Sequence, residues 1–344
     1  MQNLKSVALD SRSLVYDSLE FNLKGRIPRQ LWLLPWAEYH YPEQVRQIRK
    51  CFPDDIVIPS PAYGEKPHIE GNPHRSGTYL DEWGCEFVNI QDGIIGEVKY
   101  PLLKRWEDVK DLRVPLERLT LDIESVNKFC QSNRDKFILS DTVARPFERL
   151  QFLRTSINLY YDIFEQPDGL KELIRKVHAF YIQEMEVWTR TEVDGLAIMD
   201  DWGSQKALLI SPSVWREMFK PLYKEYVEIA HAKGKKLFMH SDGNILDIVP
   251  DLIEIGVDAL NSQVFCIGLK NLKSFSGKIT FWGEIDRQHL LVNGTKEDIQ
   301  WAVKELKELL FSRGGVIAQC EFGPGAKPEN VFTVFETWDC LSSM

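Results

Sequence analysis

None of the six cysteines belongs to a C-x-x-C pair, and positions 51, 85, 130, 266, 320 and 340 lie far apart. That excludes the paired-cysteine zinc and redox motifs, and without an export signal the thiols are read as free. No apolar run approaches bilayer-spanning length, and Met1 to Asp10 lacks a basic segment followed by an apolar core. No basic block offsets the net charge of −9, which argues against nucleic acid and anionic membrane as partners. Internal repeats, low-complexity tracts and Pro/Gly-rich linkers are missing as well, so nothing marks a domain boundary. These absences lead us to expect a cytoplasmic protein folded as one domain over residues 1–344.

What is present fits that expectation. The 344 residues are 44% hydrophobic and 11% aromatic, enough to fill a large core. Short apolar runs alternate with helical patterns, and eight of them read as strands: Leu31–Trp36, Asp55–Ser60, Phe137–Asp141, Gly195–Asp200, Lys236–His240, Ala259–Gln263, Ile279–Gly283 and Val316–Cys320. Strands that alternate with helices make a parallel α/β sheet, and eight of them predict a (β/α)8 TIM barrel. Ser211-Pro212 reads as a helix N-cap and first turn. The apolar face that follows runs through Trp215, Met218, Phe219, Leu222 and Tyr226. Thr295 with Asp298 has the spacing of a capping box. Residues 61–104, rich in Gly, Pro, His and acidic side chains, break the alternation. They predict a long insertion after the second strand, either part of a pocket or a surface hairpin.

In such a barrel, chemistry gathers where the strands end. The run Leu237–Met239 stops at His240 and Asp242, and Val316–Gln319 stops at Cys320 and Glu321. Imidazole, carboxylate and thiol at two strand ends are a candidate metal set, His240, Asp242 and Cys320. Each has a plainer reading: a hydrogen-bonded core histidine, a helix cap and a core thiol. Asp200 and Asp201 are costly to bury together, so at least one should reach ligand or solvent, and Asp201 is taken as catalytic with His240 and Glu284. Trp36, His40, Trp202, Gln205, Gln263 and Glu321 complete the mouth as candidate substrate contacts, although Glu321 should face away from its neighbour Cys320.

From Asp200 to Gly294 the chain resembles the uroporphyrinogen decarboxylase superfamily. The resemblance is carried by Asp200-Asp-Trp-Gly-Ser-Gln205, Ser211-Pro-Ser-Val-Trp215, Phe219-Lys-Pro-Leu-Tyr223, His240-Ser-Asp-Gly-Asn244, Pro250 to Asp258 and Phe281-Trp-Gly-Glu-Ile-Asp286. It implies a TIM barrel that pairs into homodimers, with either decarboxylase or corrinoid-dependent methyltransferase activity. True decarboxylases of the superfamily follow the first-strand tryptophan with an arginine-rich run that holds a polycarboxylate. Here that stretch is Leu34-Pro-Trp-Ala-Glu-Tyr39, without arginine. The methyltransferase branch holds zinc with His-x-Cys and a further cysteine. This chain keeps His240 and Cys320 but has Asp242 at the first cysteine position.

The expectation is therefore a zinc-assisted methyltransferase that moves a methyl group from a small methoxylated substrate to a corrinoid on a partner protein. A metal-dependent decarboxylase or lyase acting on a small acid or tetrapyrrole-like substrate stays open beside it. So does a non-catalytic binder of corrinoids or tetrapyrroles. Since the polycarboxylate-binding arginines are missing, uroporphyrinogen incubated with the pure protein should remain unconsumed. Coproporphyrinogen in the products would contradict that prediction.

Overall fold

The computed structural model describes residues 10–342; the first nine residues and the last two lie outside it. Strands β1 (Arg29–Leu33) and β2 (Ile56–Val57) come first. Strands β3 (Gly77–Leu80), β4 (Glu86–Asn89) and β5 (Glu97–Val98) form an antiparallel sheet inside the expected insertion. Strands β6 (Phe137–Ala144), β7 (Gly195–Met199), β8 (Lys236–Ser241), β9 (Ala259–Ser262), β10 (Thr280–Phe281) and β11 (Ala318–Phe322) follow.

The main sheet is parallel and curled, with the order β10-β9-β8-β7-β6-β2, and β1 pairs in parallel with β11. A parallel bridge between Phe281 and Val316 links β10 to the residues leading into β11. On the other side the Asp55 amide donates to the Arg29 carbonyl at 2.9 Å, linking β2 to β1. All eight expected strands are present, with shifted ends. The first stops at Leu33 because Pro35, which has no amide to donate, opens the helix Pro35–His40, and Trp36 lies on that helix.

Side chains alternate across each strand and so sort into two layers. One apolar cluster fills the concave side: Ile56, Phe137, Leu139, Ala197, Phe238, Ala259, Trp282 and Ile317. Several of these are the first residues of their strands. The N-terminal helix Ser11–Leu19 inserts Val15 and Leu19 among them, and Arg12 pairs with Asp194 at 2.6 Å just before β7. Leu196, Leu237, Met239, Leu260, Ala318 and Cys320 face the other way, into the larger cluster shared with the helices.

The helix layer follows its sequence signals closely. Ser211 caps as expected, but the helix splits into Pro212–Met218 and Lys220–His231, because Pro221 cannot continue the hydrogen-bond ladder. Thr295 and Asp298 form the reciprocal capping box of Lys296–Leu310. The insertion is anchored by a buried ion pair between Arg149 and Asp81, with the guanidinium 4.9 Å over the Trp83 ring.

The helix Asp168–Trp188 carries the buried Glu184, whose carboxylate takes Arg118 Nε at 2.6 Å. Burial lifts this carboxyl from 4.5 to about 7, although Arg118 pulls it down. The folded state thus favours the neutral acid. Its contribution is complete below the unfolded value and is lost as pH rises through the folded one. Between pH ~5 and ~8, wild-type unfolding free energy in urea should drop by up to about 3 kcal/mol more than that of Glu184→Gln. Parallel pH profiles for the two proteins would show that Glu184 is ionised throughout.

Candidate active site

Counting along β8 decides which groups meet. Phe238 faces the concave side, so His240 and, past the strand end, Asp242 face it as well. On β7 the same count from Ala197 brings Asp201 inward. His240 Nε2 lies 3.5 Å from Asp201 and 3.6 Å from Asp242. Two glycines hold this spacing. A Cβ on Gly243, at φ +78°, would fall 2.1 Å from the Gly203 carbonyl oxygen, so the turns after β7 and β8 touch backbone to backbone. The Gly203 amide donates to the Asp242 carbonyl at 3.0 Å, and the Asp242 amide to Asp201 at 2.9 Å.

The histidine is held from behind. Asn261, on β9, donates its amide to the Trp282 carbonyl, which turns its oxygen toward His240 Nδ1 at 2.5 Å. Nδ1 therefore carries a proton, and Nε2 faces the two aspartates. Burial opposes charge on the ring, but the hydrogen bond to Asp201 and the field of Asp242 lift its pKa to about 9. Burial raises and His240 lowers the Asp201 carboxyl, and the outcome is a depressed pKa. The Trp32 ring lies 5.4 Å from the imidazole and edge-on to Trp282 at 5.0 Å.

A second group of charges adjoins the first. Arg287 bonds Asp242 and reaches Glu321 at 3.0 Å and Glu284 at 3.3 Å, so one guanidinium serves three carboxyl groups. Burial pushes the Glu284 carboxyl up to about 8 despite Arg287, so this side chain is a neutral acid at pH 7. Burial raises Glu321 in the same direction. Glu284, Arg287, Gln205, Gln263, Cys266 and His289 line a cavity of about 140 Å³.

Among the described residues, Asp201, His240 and Asp242 offer ligand atoms within 4.8 Å of one another, a set able to hold a metal ion. Cys320 is not in it. Glu321 turns inward to Arg287, so strand alternation sends the Cys320 thiol into the helix-side core, where it is wholly buried and strongly raised in pKa by desolvation. The expected third ligand is therefore replaced by Asp201. Nor is Asp242 a helix cap: Asn244 takes the Leu246 amide, while one Asp242 oxygen meets Arg287 and the other is buried without a hydrogen bond.

The other candidates divide. Gln205 and Gln263 line the cavity with Glu284, and Gln263 also takes the Gly243 amide at 3.1 Å. Trp202 is wholly buried, stacked on Phe147 at 3.9 Å with its indole N–H on the Tyr223 hydroxyl, so it is a core residue and no substrate contact. Trp36 and His40 stack on each other at 4.3 Å beside the insertion; the first-strand tryptophan against His240 is Trp32. Asp200 faces the helices and takes the Phe147 and Glu148 amides and the Tyr223 hydroxyl. Arg287, Asn261 and Trp32 were missed. The four acids expected at one mouth, Asp201, Asp242, Glu284 and Glu321, imply a cation among them, and Asn261 is a lone amide in an apolar run.

A family model described as uroporphyrinogen decarboxylase (URO-D) matches residues 78–340. Among solved structures, a methyltransferase from Methanosarcina mazei aligns over 97% of this chain and 99% of its own, with a TM-score of 0.66 and 17% identity. At that identity the likeness concerns the fold alone. A type I 3-dehydroquinate dehydratase from Clostridium difficile covers 93% of this chain and 94% of its own, with 11% identity and a TM-score of 0.40, too low to carry an argument. A search of curated proteins finds no match.

Arg287 is the shared counter-ion of the second charge group, so removing it strands three acids. Arg287→Met should cost up to about 3–5 kcal/mol in urea unfolding at pH 8. Adding Glu321→Gln should recover part of that loss. Strict additivity of the two changes would show that the guanidinium is not shared.

Proposed function

The chain belongs to the uroporphyrinogen decarboxylase family, and on that premise we propose that it is a methyltransferase. Its substrate is a small methoxylated compound, and its methyl acceptor is a corrinoid carried by a separate protein. One observation carries the reading: Asp201, His240 and Asp242 converge while Asn261 fixes the far nitrogen of His240. That is the arrangement of a metal-ligating histidine with its supporting hydrogen bond. The orphaned Asp242 oxygen beside His240 Nε2 lacks the partner that an ion would supply. The fold shared with the M. mazei methyltransferase agrees with the reading. A polycarboxylate substrate is disfavoured because Arg118, Arg149 and Arg287 already meet carboxyl groups, which leaves Arg145 as a single cation for many carboxylates. The same reading makes the curled sheet a closed (β/α)8 barrel, one domain in a cytoplasmic homodimer.

The donor set of one imidazole and two carboxylates fits zinc, and Asp201, His240 and Asp242 would hold it. Zinc bound there supplies Lewis acidity to the oxygen that loses its methyl group. The acceptor, a cob(I)alamin, supplies the electron pair for the new bond to carbon. The C–O electrons stay on oxygen, and neutral Glu284 gives that oxygen its proton, so the demethylated product leaves as an alcohol or phenol. Arg287 holds Glu284 in place, and Gln205 and Gln263 offer hydrogen bonds from the same cavity wall.

The test is anaerobic incubation of zinc-loaded protein with cob(I)alamin and methoxylated compounds, followed as methylcobalamin absorbance. His240→Ala should abolish turnover, and Asn261→Ala should weaken zinc binding by calorimetry about 10–100-fold. Cys320→Ser should leave zinc binding unchanged at about one equivalent per chain. Turnover should fall as pH rises through about 8, where Glu284 loses its proton. Full turnover in chelator, or loss of zinc in Cys320→Ser, would overturn the assignment.

A further inference from the structure

A second cavity, of about 250 Å³, lies between the insertion and the carboxyl end of β6. Its walls combine five aromatic rings, Tyr79, Trp83, Phe87, Phe152 and Tyr181, with three arginines and three carboxyl groups. Aromatic walls suit a ring, and charged groups at defined points fix its orientation. Two of the three arginines on the wall are already matched. Arg118 meets Glu184 at 2.6 Å and Glu82 at 3.7 Å, and Arg149 meets Asp81 and stacks over Trp83.

Arg145 differs from both. It follows β6, and its partners are the Met199 sulfur at 3.2 Å, a weak acceptor, and Glu148 at 4.0 Å. Asp141 also lines the cavity, with one oxygen on the Thr142 amide. Met199 ends β7 two residues before Asp201, so its contact with Arg145 puts the guanidinium at the edge of the cavity nearest the carboxyl end of β7. A half-buried guanidinium at such an edge stabilises negative charge that develops on a ligand oxygen.

We propose that this cavity takes the ring of a single-ring aryl methyl ether and that Arg145 faces the ether oxygen. The inference rests on the methyl-transfer reading and narrows its substrate to aryl ethers. As the C–O bond breaks, its electrons remain on the aryl oxygen, Arg145 steadies the phenolate character that results, and Glu284 supplies the proton.

The test uses 4-nitrophenol, whose ionised form absorbs visible light, as a probe that needs no turnover. Bound to the wild-type protein its apparent pKa should fall by at least about one unit, a tenfold shift toward phenolate. Arg145→Met should bind the probe without that shift, and Arg145→Lys should restore part of it. Tyr79→Ala should weaken binding of the probe in both ionisation states. In the anaerobic assay 2-methoxyphenol should be demethylated and methanol should not. A wild-type shift that Arg145→Met abolishes, with no methylcobalamin formed, would leave the pocket standing and sink the reaction. Methyl transfer from methanol, with no probe bound and Arg145→Met indifferent, would sink the pocket and leave the reaction.

Discussion

Six carboxyl groups crowd the carboxyl ends of the strands: Glu148, Asp200, Asp201, Asp242, Glu284 and Glu321. Carboxylates taken out of water must be paired, hydrogen-bonded or protonated, and the site is arranged by how each meets that demand. Asp201 and Asp242 share His240, while Asp242, Glu284 and Glu321 share Arg287. Asp200 accepts two helix amides and a tyrosine hydroxyl, and Glu148 and Glu284 move toward the neutral form. The result is charged carboxylates and protonated acids side by side in the same mouth, the division of labour that acid–base chemistry uses.

This compensation also ties the site to its scaffold. Asp200 and Asp201 are neighbours in sequence and face opposite layers. One fixes the start of the helix Pro146–Arg154, which carries Arg149 and so the insertion's anchor at Asp81. The other faces His240. A disturbance at the end of β7 therefore reaches both the imidazole and the insertion, through bonds a few residues long.

Much of this was legible in the sequence, for a definable reason. Strand ends that switch from apolar to polar are local signals, and they placed Asp201, His240, Asp242 and Glu284 at one mouth. The misreadings came from parity and from one proline. Cys320 and Trp202 were assigned by their closeness to strand ends, whereas the side of the sheet they face follows from counting back to Ile317 and Ala197. Pro35 ended the first strand early and left Trp32, not Trp36, beside the imidazole. Arg287, Asn261 and Arg145 act across the mouth on residues far away in the chain, and no local pattern announces such partners. The insertion, expected as part of a pocket or as a surface hairpin, contains an antiparallel sheet of three strands.

The helix Ser11–Leu19 sits inside the curled sheet at the opposite end, with Val15 and Leu19 among the first residues of the strands. Among the described residues, that stopper fills one end of the curled sheet, so His240 is reached from the other end. Where two molecules must meet at the imidazole, the deeper one arrives first and leaves last. For a two-substrate reaction, the order of arrival would thus follow from the architecture, whatever the affinities of the two molecules.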